Sequence, residues 1–249
     1  MPSFWKVVKN VLNEAEVILL VMDARFPEET LNQEILEKIK WCRKPVIFVL
    51  NKSELVTKHF QEITLPKEVN NFVWFSALKH YGVHELRKKI LSLTRKRPVI
   101  AGVVGYPNTG KSSLINCLSQ RHAAPTSARA GFTKGLQKVR VSKDIYLLDT
   151  PGVIPYKSKD YETQALIGAF DTAKIKEPDI IAMAILEKFK KAGSRGMETY
   201  YKTPVKEDFV ETLEDLAKKL NYLKKGGLPD IQRVSRKIIE DWQRGRFLL

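Results

Sequence analysis

Gly105-Tyr-Pro-Asn-Thr-Gly110-Lys111-Ser112 decides how this chain is read. An apolar, β-branched run at residues 99–104 leads into it and a run of helical period at 113–118 leads out, so a glycine-rich turn joins a strand to a helix. That context suits G-x-x-x-x-G-K-[ST] to phosphate. Backbone N–H groups of the turn and the helix N-terminus point at the anion, and Lys111 brings a positive charge to the outer phosphate oxygens. The Ser112 hydroxyl is a ligand for Mg²⁺, and Asn108, Thr109, Gly110 and Ser113 complete the lining.

Downstream, Asp149-Thr-Pro-Gly152 follows an apolar run at 145–148. A carboxylate at that strand end holds Mg²⁺ through water, and DxxG is the guanine-nucleotide form, with the Gly152 amide placed to reach the terminal phosphate. Upstream, Asn51-Lys52-Ser53-Glu54 follows the run at 46–50, and Ser76-Ala77-Leu78-Lys79 follows that at 72–75. They look like the guanine-recognition sequences NKxD and SAK. In these, Asn51, Lys52 and Glu54 and the Ser76, Ala77 and Leu78 turn would meet the base. Glu54 replaces the usual aspartate and reaches one methylene further.

Further strands are expected at 17–22 and 139–141, and helical periods at 3–15, 31–41 and 83–93 alternate with the strands. This predicts an α/β fold: a three-layer P-loop NTPase with a mostly parallel six-stranded sheet and one antiparallel hairpin across 142–144. From residue 178 only helices are expected, at 180–189, 205–223 and 230–242. The expected domains are therefore 1–176 and an all-helical, RNA-binding 177–249.

The 249 residues carry 43 basic against 28 acidic side chains, a net charge of +15. No acidic residue lies between Glu85 and Asp144, while Arg87, Lys88, Lys89, Arg95, Lys96, Arg97, Lys111, Arg121, Arg129, Lys134, Lys138, Arg140 and Lys143 do. Such one-sign charge favours a polyanion such as nucleic acid. Cys42 and Cys117 are too few for a disulfide framework and lack zinc-ligand spacing. No run is long enough to span a bilayer, so a soluble, cytoplasmic protein without membrane contact is expected.

The order of motifs is NKSE, SALK, P-loop, Thr133, DTPG, whereas ordinary GTPases begin with the P-loop; the chain is a circular permutation. It resembles the YlqF/RbgA/YawG group of circularly permuted GTPases. Asp23-Ala-Arg25-Phe-Pro27 matches that group's DARxP signature, Gly131-Phe-Thr133-Lys-Gly135 its switch region, and Gly226-Gly-Leu-Pro-Asp230 with Trp242 and Gly245 its helical end. The resemblance implies a GTPase that helps assemble the large ribosomal subunit through rRNA, with GTP or GDP and Mg²⁺ as cofactors; a monomer is expected. Lys111, Thr133 and Gly152 would act in hydrolysis, and Ser112, Thr133 and Asp149 would hold Mg²⁺. Asn108 stands where K⁺-stimulated relatives coordinate K⁺. Val153 replaces the glutamine that orients water in Ras-like proteins, and no histidine precedes His59, so slow intrinsic turnover is expected. The alternatives are a tRNA-modification or signalling GTPase, or an RNA-binding module with structural nucleotide.

Overall fold

Seven consecutive buried residues, Val17–Asp23, make the central strand β1. Ile18, Leu20 and Met22 pack on one face with Val8, Val11 and Leu12 of α1 (Phe4–Glu14) and with Ile35, Leu36 and Ile39 of α3 (Gln33–Trp41). Val17, Leu19 and Val21 pack on the other with Leu86 and Ile90 of α4 (Val83–Ser92) and with Leu114, Ile115 and Leu118 of α5 (Lys111–Ser119). A strand covered on both faces has no polar side to alternate with, which is why it reads as a continuous apolar run. Each fully buried Val, Leu or Ile contributes about 1.5–3 kcal/mol.

The computed structural model describes residues 4–56, 65–119, 137–150, 161–168 and 171–248. The chain divides into two compact units, Met1–Ser158 and Lys159–Leu249. The expected boundary at 176/177 falls inside the second.

In the first unit, β2 (Val46–Asn51), β3 (Phe72–Trp74), β4 (Val99–Gly105), β5 (Gln137–Arg140) and β6 (Ile145–Asp149) join β1 in a six-stranded sheet ordered β3-β2-β1-β4-β6-β5. All pairs are parallel except β5 with β6. This is the expected P-loop architecture, hairpin included. Gly102 lets α1 lie close on β4, because a Cβ there would stand 2.4 Å from Val11 Cγ1. A short helix α2 (Pro27–Thr30) follows the DARxP stretch and was not expected: four residues are too few to show a period.

The second unit is helical among the described residues: α6 (Tyr161–Leu166), a 3-10 turn at Thr172–Lys174, α7 (Pro178–Lys191), α8 (Gly196–Tyr201), α9 (Phe209–Lys219) and α10 (Ile231–Gln243). The helix expected over 205–223 is shorter. The Asp208 carboxylate accepts from Val210 N at 2.7 Å and caps α9, and Asn221 takes φ +55° after its end. Trp242, fully buried, meets Phe189 edge-on at 5.5 Å, and Tyr201 donates to the buried Asp241 at 2.8 Å. Among the described residues no helix is long and apolar enough to cross a membrane.

Candidate functional site

The parallel register brings the ends of four strands together: Asp23 lies opposite Asn51, Val21 opposite Gly105 and Val103 opposite Asp149. All four strands run straight into sequences singled out above, three of them with an assigned part in nucleotide binding. Between Gly105 and Lys111 the backbone turns tightly, with Asn108 at φ +58° and Gly110 at φ +89°. Asparagine is among the residues that tolerate the left-handed region best, and glycine is strain-free there. Thr109 Oγ1 donates to Tyr106 O at 3.0 Å, and Lys111 Nζ reaches back to the same carbonyl at 2.6 Å. The helix α5 starts at Lys111, so its N-terminal amides face the space the loop encloses.

Asn51 ties this loop to the two base-recognition sequences. Its Nδ2 donates to Thr109 O at 2.8 Å, and its Oδ1 accepts from Ala77 N at 3.3 Å. Gly110 is required by the same contact, since a Cβ there would stand 2.2 Å from Asn51 Nδ2. Gly110→Ala is therefore expected to break the Asn51 bridge and lower GDP affinity at least about tenfold, the cost of roughly one charge-free hydrogen bond plus backbone strain. Isothermal titration measures it.

Two buried charges at the site lack full compensation. Burial pushes Lys111 down to about 8, against the pull of Asp149 and with Lys52 adding to the fall. Burial pushes the Asp149 carboxyl up to about 6, although Lys111 and the Thr150 amide oppose it. Asp149 Oδ1 has no hydrogen-bond partner among the described residues. A lysine short of an anion beside a carboxylate short of a cation is the donor set that a phosphate with a hard divalent ion would complete. The residues present thus fit Mg²⁺, with Ser112 and Asp149 on its side of the site. The neighbouring Thr150 Oγ1 donates to Val103 O at 2.7 Å and fixes the start of the DTPG segment against β4.

The base-recognition side is built on a turn. Lys52 is left-handed (φ +62°), which sends Ser53 N to Phe75 O at 3.1 Å and begins a 3-10 turn at Ser53–Leu55. Glu54 Oε2 is buried without a partner among the described residues, so its acceptor capacity is unspent. Ser76 Oγ accepts from Lys79 N at 2.9 Å and closes the second loop, leaving Leu78 71% exposed. Beneath both sits a triad the sequence did not assign to the site. Asp23 accepts from Arg25 Nε at 3.0 Å, from Arg25 Nη2 at 2.8 Å and from Lys52 Nζ at 2.7 Å. Burial alone would raise the Asp23 carboxyl, yet Arg25 and Lys52 hold it far below the ordinary range. The available signal was an Asp that ends a strand in register with Asn51.

The comparisons agree with this geometry. The sequence model of a family described as 50S ribosome-binding GTPase matches residues 100–222. The GDP-bound structure of YlqF superposes with a TM-score of 0.66 at 26% identity, covering 96% of this chain and 94% of that one. A GNP-bound YlqF from T. maritima also scores 0.66, at 25% identity. Over nearly its whole length the chain is similar in fold to YlqF. Relatives of the chain include an uncharacterized GTP-binding protein of Methanocaldococcus jannaschii, 38% identical over 245 residues. Nucleolar GTP-binding protein 2 of Saccharomyces cerevisiae is 31% identical over 254 residues, and a nuclear/nucleolar GTPase 2 of Arabidopsis thaliana 32% over 255. The alignments cover 97–98% of this chain but 65%, 52% and 43% of those proteins.

The structure brings Asn51, Lys52, Glu54, Ser76, Ala77, the P-loop from Asn108 to Ser113, and Asp149 to one edge of the sheet. Thr133 and Gly152, with the switch segment 131–135, lie outside the described residues. Val153 does too.

Proposed function

We propose that this chain binds and hydrolyses GTP and uses the difference between GTP and GDP to engage and release a large-subunit precursor of the ribosome through its RNA. The Asn51 bridge carries the reading. One side chain holds the phosphate loop at Thr109 and the base loop at Ala77, so phosphate and base contacts are set in one frame. The family description and the nucleolar GTP-binding relatives support the ribosomal partner.

Hydrolysis requires positioning and charge neutralisation more than covalent chemistry. Lys111 and the amides of the loop hold the outer phosphates in line, and the motifs of Thr133 and Gly152 assign these residues to the terminal phosphate. Mg²⁺, held by Ser112, Thr133 and, through water, Asp149, would supply further neutralisation when bound. Asn108, which stands where K⁺-stimulated relatives coordinate the ion, would hold K⁺ beside the phosphates. Since Val153 has no group to orient water, intrinsic turnover is slow and the partner accelerates it. In the helical unit, Lys219, Arg236 and Lys237 are committed to Lys202 O, Thr172 O and Asp241, so RNA contact there falls to the exposed Lys218, Lys224 and Lys225. The free thiols of Cys42 and Cys117 suit a reducing cytosol.

The test is GTP turnover in KCl and in NaCl, with and without purified large ribosomal subunits, with ATP as control nucleotide. Stimulation by subunits, confined to GTP, is expected. Equal turnover of ATP with no response to ribosomes would overturn the reading. Glu54→Gln separates base recognition from phosphate binding. It replaces an acceptor pair by an amide, and GDP affinity is expected to fall about 10- to 100-fold, the worth of a hydrogen bond to a charged group, while ADP binding stays as weak as before.

A further inference from the structure

The nucleotide loops occupy the carboxyl edge of the sheet; the opposite edge, where the parallel strands begin, carries a different chemistry. Helices α1, α3 and α4 end there, because each leads by a short connection into β1, β2 or β4, and the β5–β6 turn lies on the same edge. On these connections and the helix end that enters the first stand Lys40, Arg43 and Lys44 before β2, Arg95, Lys96 and Arg97 before β4, and Lys143 before β6. Glu14, Glu16 and Asp144 are the acids beside them, and Glu16 is paired with Lys96 at 2.6 Å.

Part of this charge has a structural use. Lys44 Nζ donates to Ala15 O at 2.8 Å, and the Arg97 guanidinium donates to Leu91 O, Thr94 O and Lys96 O, so both close chain ends whose carbonyls lack partners. That use does not extend to Trp41. It is the last residue of α3 and is 85% exposed, more than any other large apolar residue described. An indole left in water forfeits the burial that normally keeps tryptophan inside, and this one stands between the exposed Lys40 and Arg43.

We propose that this edge is a docking surface for single-stranded RNA, with Trp41 as a stacking platform for one unpaired base and Arg43, Arg95 and Lys143 tracking the backbone. The proposal rests on the RNA partner inferred above and says where on the first unit that RNA sits. From β2 to β6 the strand order takes three steps, a span of about 14 Å at the usual strand spacing, which suits a few nucleotides of extended chain. Charge complementarity selects RNA over an acidic protein groove through the pairing of an aromatic face with guanidinium and ammonium groups, which every base can use. β1 has seven residues, so the surface lies about 20 Å from the nucleotide loops, and occupancy at one edge leaves the other open.

The experiment is fluorescence anisotropy with a labelled single-stranded RNA of about twelve nucleotides and mixed sequence, against the full chain and its variants, with GDP affinity measured in parallel. Trp41→Ala is expected to lower RNA affinity about tenfold, the loss of one base stack, with Trp41→Phe keeping most of it and GDP affinity unchanged in both. Arg95→Gln combined with Lys143→Gln should make the salt dependence shallower by about one to two ions. Wild-type binding that neither Trp41→Ala nor the double variant alters would overturn this surface while leaving the RNA partner intact. Failure of the wild type to bind any RNA or ribosomal subunit would instead remove the partner on which the proposal stands.

Discussion

Lys111→Ala is expected to weaken GDP binding about 100- to 1,000-fold, the roughly 3–4 kcal/mol lost when one partner of a buried charged contact is removed. The fold should not suffer. Lys111 is a buried cation whose ammonium meets a carbonyl at 2.6 Å and whose proton is held less tightly than usual. Taking it away removes a desolvated charge, so the urea midpoint of the variant should equal or exceed that of the wild type. Titration calorimetry and denaturation on the same preparation read both halves. A variant that loses affinity and stability together would mean that Lys111 holds the loop rather than the phosphate.

The same pair sets a pH window. Lys111 titrates at about 8, so above that pH an increasing share of the site has lost the charge that meets phosphate. Asp149 titrates at about 6, so below that pH it has taken up the proton that a divalent cation must displace. Affinity for GDP with Mg²⁺ should therefore peak between about 6 and 8 and fall on both sides, and binding at pH 8 should take up protons. In Lys111→Ala the alkaline limb should disappear while the acid limb remains.

The strands were legible because a parallel sheet buried on both faces leaves uninterrupted apolar runs, and 17–22, 46–50, 99–104 and 145–148 are such runs. Once the strands were placed, the residues directly after them were the candidate site, since in open α/β sheets ligands gather at the carboxyl ends. Helices α2 and α8 were not legible: four and six residues give no period, and α8 begins with Gly196. The start of α9 at Phe209 was missed although Asp208 offered a cap, and so was its end at Lys219, because apolar residues at 205 and 223 extended the pattern past both. Within the site, Asn51 looked like one member of a base-recognition motif. Its link to Thr109 crosses 58 positions of sequence, and only the sheet register brings the two together. Asp23 was quoted as part of a signature without a role, for the same reason.

Asp23→Ala should be the most damaging single substitution to the fold of the first unit. Asp23 and Arg25 are buried, and the carboxylate accepts from both the Arg25 guanidinium and the Lys52 ammonium. Removing it leaves two cations facing each other with no counter-charge, at an expected cost of about 3–5 kcal/mol, a large part of the 5–15 kcal/mol that holds a domain together. The native carboxyl is held far below its ordinary range, so its contribution is complete above about 4 and is lost only as pH falls through its native value. The gap in urea midpoint between wild type and Asp23→Ala should accordingly be constant from about pH 5 to 8. Charge and position can be separated by the triple variant Asp23→Leu, Arg25→Met, Lys52→Met. An apolar replacement of a buried ion cluster is often neutral for stability, so the midpoint should recover. GDP affinity should not, because Lys52 sits at a left-handed backbone position between Asn51 and Glu54, and its tether to Asp23 keeps that turn against β3. If stability and affinity returned together, the triad would serve the core alone; if Asp23→Ala left the midpoint unmoved, the pairing would contribute nothing to the fold.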